Sequence, residues 1–227
     1  MLGLLILTGS VYALGGQAPK KEGGETLGAR FLIDNFESGS LKSPREWWTF
    51  DIQNAVPSPN AELTAGDGKI AAEVGKYSLL LKGNATRWYA GGCGTYFAAE
   101  SQNLAKYGYF QIDIYGNGPG SGTLKIELFD DDNGNWQIEQ DPAKGYLPLY
   151  DDKYVYDINV DWVGWKKISI PLEDFVDDNP GVGDDVWNPE QSGASGGLLQ
   201  LQFICLAGKS EGGIHLNLDN VALSVSE

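Results

Sequence analysis

The residues of this chain that could do chemistry are carboxylates and aromatic rings. The acids come in runs: Asp130-Asp131-Asp132, then Asp177-Asp178 and Asp184-Asp185 on either side of Asn179-Pro180-Gly181. Adjacent carboxylates repel one another and gain from a cation placed between them, although acidic turns are commonly just solvated. The first run lacks the EF-hand spacing, because Gly134 arrives one place early and no Glu follows at the right distance. Of the 31 acids in the chain, 17 lie between Glu127 and Glu190, against four Lys. That concentration makes cation binding in the loops a testable idea, with plain solvation of the acidic turns as the commoner outcome. Proton-transfer and nucleophilic chemistry have far less to work with. The single histidine, His215, sits in the run Ile214-His215-Leu216 and reads as a structural strand residue. There is no Gly-x-Ser-x-Gly elbow, no His-Glu-x-x-His and no phosphate loop. Two carboxylates ~5–9 Å apart can hydrolyse a glycosidic bond. With 31 acids some pair meets that distance by chance, so no enzymatic activity is expected.

Seven Trp and eleven Tyr need either a large aromatic core or an aromatic contact face. Sugars present flat C–H faces on which Trp and Tyr rings stack, while Asp, Asn, Gln and Arg bond their hydroxyls. The candidates for such a face are Arg87-Trp88-Tyr89, Trp136, and Tyr154 with Tyr156. Tyr154 and Tyr156 are two residues apart, so in a strand they share a face. Gln200 and Gln202 likewise share one, opposite Leu199, Leu201 and Phe203. Trp47, Trp48 and Trp165 are expected in the core. A net charge of -15 argues against nucleic acid and anionic membrane surfaces as partners, since both would repel the chain at long range. Cys93 and Cys205 are the only cysteines. They could pair in an oxidising compartment, or both could be buried thiols.

The elements that must position these residues read as strands. Period-2 alternation with turn residues between recurs over residues 31–36, 69–74, 77–82, 88–98, 107–115, 123–129, 136–139, 154–160, 165–170, 198–206 and 214–225. The pair 123–129 and 136–139 flanks Asp132-Asn133-Gly134, a hairpin signal. About eleven short strands and little helix predict an all-β chain folded as an antiparallel β-sandwich. One helical turn is expected at 172–175, after Pro171. Residues 1–13 are expected to be a signal peptide, with an apolar run too short to span a bilayer. Their lack of Lys or Arg leaves open an apolar strand retained in the mature protein. Residues 14–29 read as a flexible lead-in, and 30–227 as a single domain with no internal repeat.

Three motifs carry a resemblance. They are Phe31-Leu32-Ile33-Asp34-Asn35-Phe36-Glu37 followed by Trp47-Trp48, then Gly164-Trp165-Lys166-Lys167-Ile168-Ser169-Ile170-Pro171-Leu172-Glu173-Asp174-Phe175, and Leu216-Asn217-Leu218-Asp219-Asn220-Val221. Together they resemble the galactose-binding-like jelly rolls, among them the family 11 carbohydrate-binding modules and CIA30-type domains. The resemblance implies a non-catalytic sandwich that binds a polysaccharide or cell-surface glycan. It also implies a structural calcium tying the first strand to the last, which here would fall on Glu37, the backbone carbonyl of Lys82, and Asp219. A carboxylate at each end of the domain, held by one ion, would close the chain as a loop and lower the entropy of the unfolded state. The expectation is a secreted, calcium-stabilised carbohydrate-binding sandwich. Beside it stands a second, that the chain is a structural subunit of an extracellular surface layer, sheath or filament. Its exposed aromatics would then serve protein contacts and self-assembly.

Overall fold

The structure is a computed structural model; it describes residues 30–60, 74–97, 103–193 and 195–227. The expected signal peptide, the lead-in and nearly all of the strand expected at 69–74 lie outside the described residues. Two six-stranded antiparallel sheets pack face to face as a β-sandwich. The first contains β1 (Arg30–Asp34), β3 (Asn54–Pro59), β4 (Tyr77–Asn84), β6 (Tyr109–Asn117), β11 (Val163–Pro171) and β14 (Gly213–Ser224), in the order β11-β6-β14-β4-β3 with β1 also on β14. The second contains β2 (Trp47–Phe50), β5 (Tyr89–Tyr96), β7 (Thr123–Asp131), β10 (Asp152–Asn159), β12 (Val176–Asp177) and β13 (Gly197–Leu206), in the order β12-β10-β7-β13-β5-β2. Two residues each form β8 (Gln140–Asp141) and β9 (Leu147–Pro148), which pair in a loop. Helix is confined to 3-10 turns, at Pro142–Lys144 and, as expected after Pro171, at Leu172–Asp174.

Alternation explains the layering. Leu79 and Leu81, Phe110, Ile112 and Ile114, and Leu216 and Leu218 face inward from the first sheet. Leu124, Ile126 and Leu128, with Leu201, Phe203 and Cys205, meet them from the second. Burying each such side chain contributes ~1.5–3 kcal/mol. Trp47 joins the sheets: its ring stacks on Phe203 at 5.6 Å and 10°, and its indole N–H donates to Asp34 Oδ2 at 2.8 Å.

Several expectations need correction. Residues 136–139 form no return strand, because the Asp131 carboxylate gathers that segment around itself. It accepts from the backbone N–H groups of Gly134 (3.0 Å), Asn135 (3.3 Å), Trp136 (2.8 Å) and Gly196 (2.7 Å). The partners of β7 are β10 and β13 instead. Strands β2 and β3 were not expected, since Trp47-Trp48-Thr49-Phe50 and Asn54-Ala55-Val56-Pro57-Ser58-Pro59 show no clean alternation. A register shift between Leu198 and Gln200 turns Leu199 out of the core. Leu199 packs instead with Phe129, Ile138 and Trp136 on the outer side. Trp165 lies partly buried against Tyr115 rather than in the core.

Cys93 and Cys205 are free, fully buried thiols on neighbouring strands β5 and β13. Burial pushes the Cys205 thiol up to about 12, and burial with the neighbouring sulfur raises Cys93 as well. Neither is a competent nucleophile. The native protein should leave an aromatic disulfide reagent unreacted, and two thiols should titrate once it is unfolded without reductant. Finding none in the unfolded chain would instead mean a Cys93–Cys205 disulfide.

Candidate functional site, a groove on the outer face of the second sheet

The outward residues of the second sheet form cross-strand rows. One row runs Trp48, Gly94, Gln202, Glu127, Val155; the next runs Phe50, Gly92, Ile204, Lys125, Asp157. The two glycines shape the surface. A Cβ on Gly94 would lie 2.6 Å from Trp48 Cζ2, and one on Gly92 would lie 2.7 Å from two carbons of the Phe50 ring. Aromatic rings from β2 can therefore lie flat across β5 instead of standing away from it. Trp48 also packs on Tyr96 at 4.8 Å between centroids.

These rows are the floor of a groove of about 680 Å³. Residues 132–150, between β7 and β10, form one wall. Trp136 and Ile138 seat this segment on Phe129 and Leu199, and Gln140, Gly145 and Tyr146 reach the groove. The Gln140 side-chain amide donates to the Tyr146 carbonyl at 2.8 Å. Tyr146 stands 62% exposed. Opposite, the Tyr89 hydroxyl donates to Asp51 Oδ2 at 3.0 Å. The charges on the floor are paired. Lys153 Nζ lies 3.4 Å from Glu127 Oε1 and 2.6 Å from Asp178 Oδ2, and Lys125 lies 3.4 Å from Asp157. Burial raises the Glu127 carboxyl, and Lys153 opposes that shift. The surface thus offers flat rings (Trp48, Tyr89, Tyr146) beside fixed donors and acceptors (Gln140, Gln202, Glu127, Lys153).

The residues singled out from sequence are scattered. Tyr89 lines the groove. Trp88 is 54% exposed, and Arg87, at φ 67, pairs through its backbone with Glu211 in an isolated β-bridge; neither is part of the groove lining. Trp136 supports the wall from beneath. Tyr154 and Tyr156 do share a face, and it is the core face. Sequence reading missed Trp48, Tyr146, Gln140 and Lys153 as groove residues. The alternating glycines of Gly92-Cys93-Gly94, which strip one face of β5 bare, are the signal that could have found Trp48.

The residues matched to a structural calcium are placed as follows. Asp219 is buried opposite Asp113 in register, and its Oδ2 has no hydrogen-bond partner among the described residues. Burial, then the charges of Asp113 and Glu37, push it up to about 7. A cation would satisfy that oxygen, while Glu37 Oε1 already accepts from Tyr77 N at 2.9 Å. Lys82 stands opposite His215, three register positions beyond the Leu79–Leu218 pair, or ~10 Å along the strand.

No protein-family model matches the sequence, and no curated protein matches it. Solved structures do. One is a family 11 carbohydrate-binding module from Clostridium thermocellum in complex with a β-1,3-1,4-mixed-linked tetrasaccharide. It is 20% identical, with a TM-score of 0.47 over 86% of this chain and 95% of that one. Another is the family 11 module of a cellulosomal cellulase of the same organism, at 18% identity and TM-score 0.46, over 87% and 95% of the two chains. A third is a C-terminal family 22 carbohydrate-binding module of that organism, at 12% identity and TM-score 0.39, over 87% and 94%. The sandwich described above stands on its own strand pairing, and the groove on its own residues.

Proposed function

We propose that this protein binds carbohydrate in the groove of the second sheet, without cleaving it, and that it does so outside the cell. The observation that carries this reading is the pairing of flat rings, from Trp48, Tyr89 and Tyr146, with a floor of ordered polar groups. Stacking on C–H faces and hydrogen bonding to hydroxyls need both, side by side, on a surface long enough for more than one sugar unit. The apolar start of the sequence supports export. The orphaned oxygen of Asp219 beside Glu37 supports a structural calcium that would hold the start of the domain to β14. Among the described residues no helix is long and apolar enough to cross a membrane.

The test is a glycan array with the full chain in calcium-containing buffer, followed by titration of the best polysaccharide while Trp fluorescence is read. Binding should change the emission, because Trp48 lines the groove, and no reducing ends should be released on prolonged incubation. Failure to bind any polysaccharide would overturn the reading. If polymers or sheets then form in electron micrographs, the surface-assembly alternative takes its place.

A further inference from the structure

The wall of the groove leaves the sandwich at Asp130-Asp131-Asp132 and returns at Asp151-Asp152, and Asp130 and Asp152 face each other in register. Asp130, Asp132 and Asp152 each bring a carboxylate oxygen within 4.8 Å of the others'. Their orientation is fixed by the backbone. Asp130 Oδ2 accepts from Asn188 N at 3.0 Å, Asp132 Oδ2 from Asp152 N at 2.8 Å, and Asp152 Oδ2 from Val186 N at 3.1 Å. The second oxygen of each, Oδ1, is buried with no hydrogen-bond partner among the described residues. Asp130 and Asp152 are 0% exposed. A third segment closes over the group. A Cβ on Gly183, at φ +79, would lie 2.2 Å from Asp152 Oδ1 and 2.3 Å from Asp132 Oδ2.

Three carboxylates thus spend one oxygen each on the main chain and leave the other buried. Such oxygens are costly to bury unless a positive charge or a donor meets them. Lys153, the buried lysine among the described residues, is engaged with Glu127 and Asp178. Burial first, then mutual repulsion, pushes Asp130 up to about 8 and Asp132 up to about 6. The donors are all hard oxygens, which select calcium or magnesium over zinc or copper. Calcium tolerates an irregular carboxylate set and completes its shell with carbonyls and water, whereas magnesium demands a near-octahedron.

We propose that Asp130, Asp132 and Asp152 form a calcium site that pins the 132–150 wall and the 178–188 segment to the ends of β7 and β10. The site is separate from Glu37 and Asp219, and it stands whether or not the groove binds sugar.

The full chain, stripped by chelator, is titrated with calcium and, in parallel, with terbium while Trp is excited. Calcium at about a hundred times its Kd should raise Tm by roughly 5–10 °C. Asp152→Asn should bind one calcium fewer per chain. Trp187 lies between the two residues whose N–H groups orient Asp152 and Asp130. Trp187→Phe should therefore keep the calcium stoichiometry and lose most of the sensitised terbium emission. Chelation should speed tryptic cleavage after Lys144, in the wall, by roughly tenfold as local opening becomes easier. Equal stoichiometry in wild type and Asp152→Asn would overturn the site, as would a wild-type Tm indifferent to calcium. If Asp152→Asn does not fold, undiminished terbium emission in Trp187→Phe overturns it.

Discussion

Trp47→Ala should remove most of the stability of the domain. Trp47 is 1% exposed, stacked on Phe203 and 5.6 Å from Phe36 between ring centroids. Emptying such a site costs ~3–5 kcal/mol, for the lost transfer energy and the cavity left behind. The indole N–H is also the side-chain partner of Asp34, itself 1% exposed, whose other oxygen accepts from Phe36 N at 2.8 Å. Stranding that carboxylate adds ~1–3 kcal/mol. The expected loss is about 4–8 kcal/mol against a typical domain stability of about 5–15 kcal/mol. Urea unfolding curves measure it. Trp47→Phe, which keeps a ring and loses the donor, should lose much less. A Trp47→Ala loss under ~2 kcal/mol would show that the sheets are not joined at this residue.

The second large effect concerns ligand binding. Trp48→Ala should weaken polysaccharide binding about 30-fold or more, as a central aromatic anchor worth ~2 kcal/mol does. Gly94→Val should do nearly as much without touching an aromatic residue. Its Cβ would lie 2.6 Å from Trp48 Cζ2, too close for the ring to stay in place, and its backbone, outside the left-handed region, accepts a β-branched residue. Val56→Ala, exposed on the other sheet, should leave affinity unchanged. Titration of the polysaccharide identified by array separates the three. Full affinity in both groove variants would move the binding surface elsewhere.

How much of this was legible in the sequence follows from what alternation can encode. Strands β6, β7, β10, β11, β13 and β14 lie close to the runs that predict them, because each has one face in the core. Alternation gives which residues share a face; it does not say which face is wet. Tyr154 and Tyr156 share a face, as their spacing predicts, and that face is the core. Trp47 and Trp48, adjacent and chemically identical, point to opposite sides of β2. Only the pairing of β2 with the glycines of β5 separates them. The acidic hairpin shows the converse. Its turn residues promise a two-stranded return, yet one carboxylate, Asp131, takes the N–H groups that a ladder would have used. Side-chain capture of backbone donors is a tertiary choice, in which Gly196, more than sixty residues away, takes part. The three clustered carboxylates, Asp130, Asp132 and Asp152, likewise come from two strand ends that meet only through the pairing of β7 with β10.

The groove is assembled from parts held independently. Its floor is inherited from strands whose other face is the core, so its backbone is fixed. Its wall, residues 132–150, hangs from Asp131 and the neighbouring acids at its root and rests on a small apolar patch. Insertions or substitutions near Tyr146 therefore alter the shape of the groove while leaving every core residue in place. Selection can retarget such a surface one loop at a time, and so can a protein engineer, using residues 140–148 as a replaceable cassette on a fixed chassis.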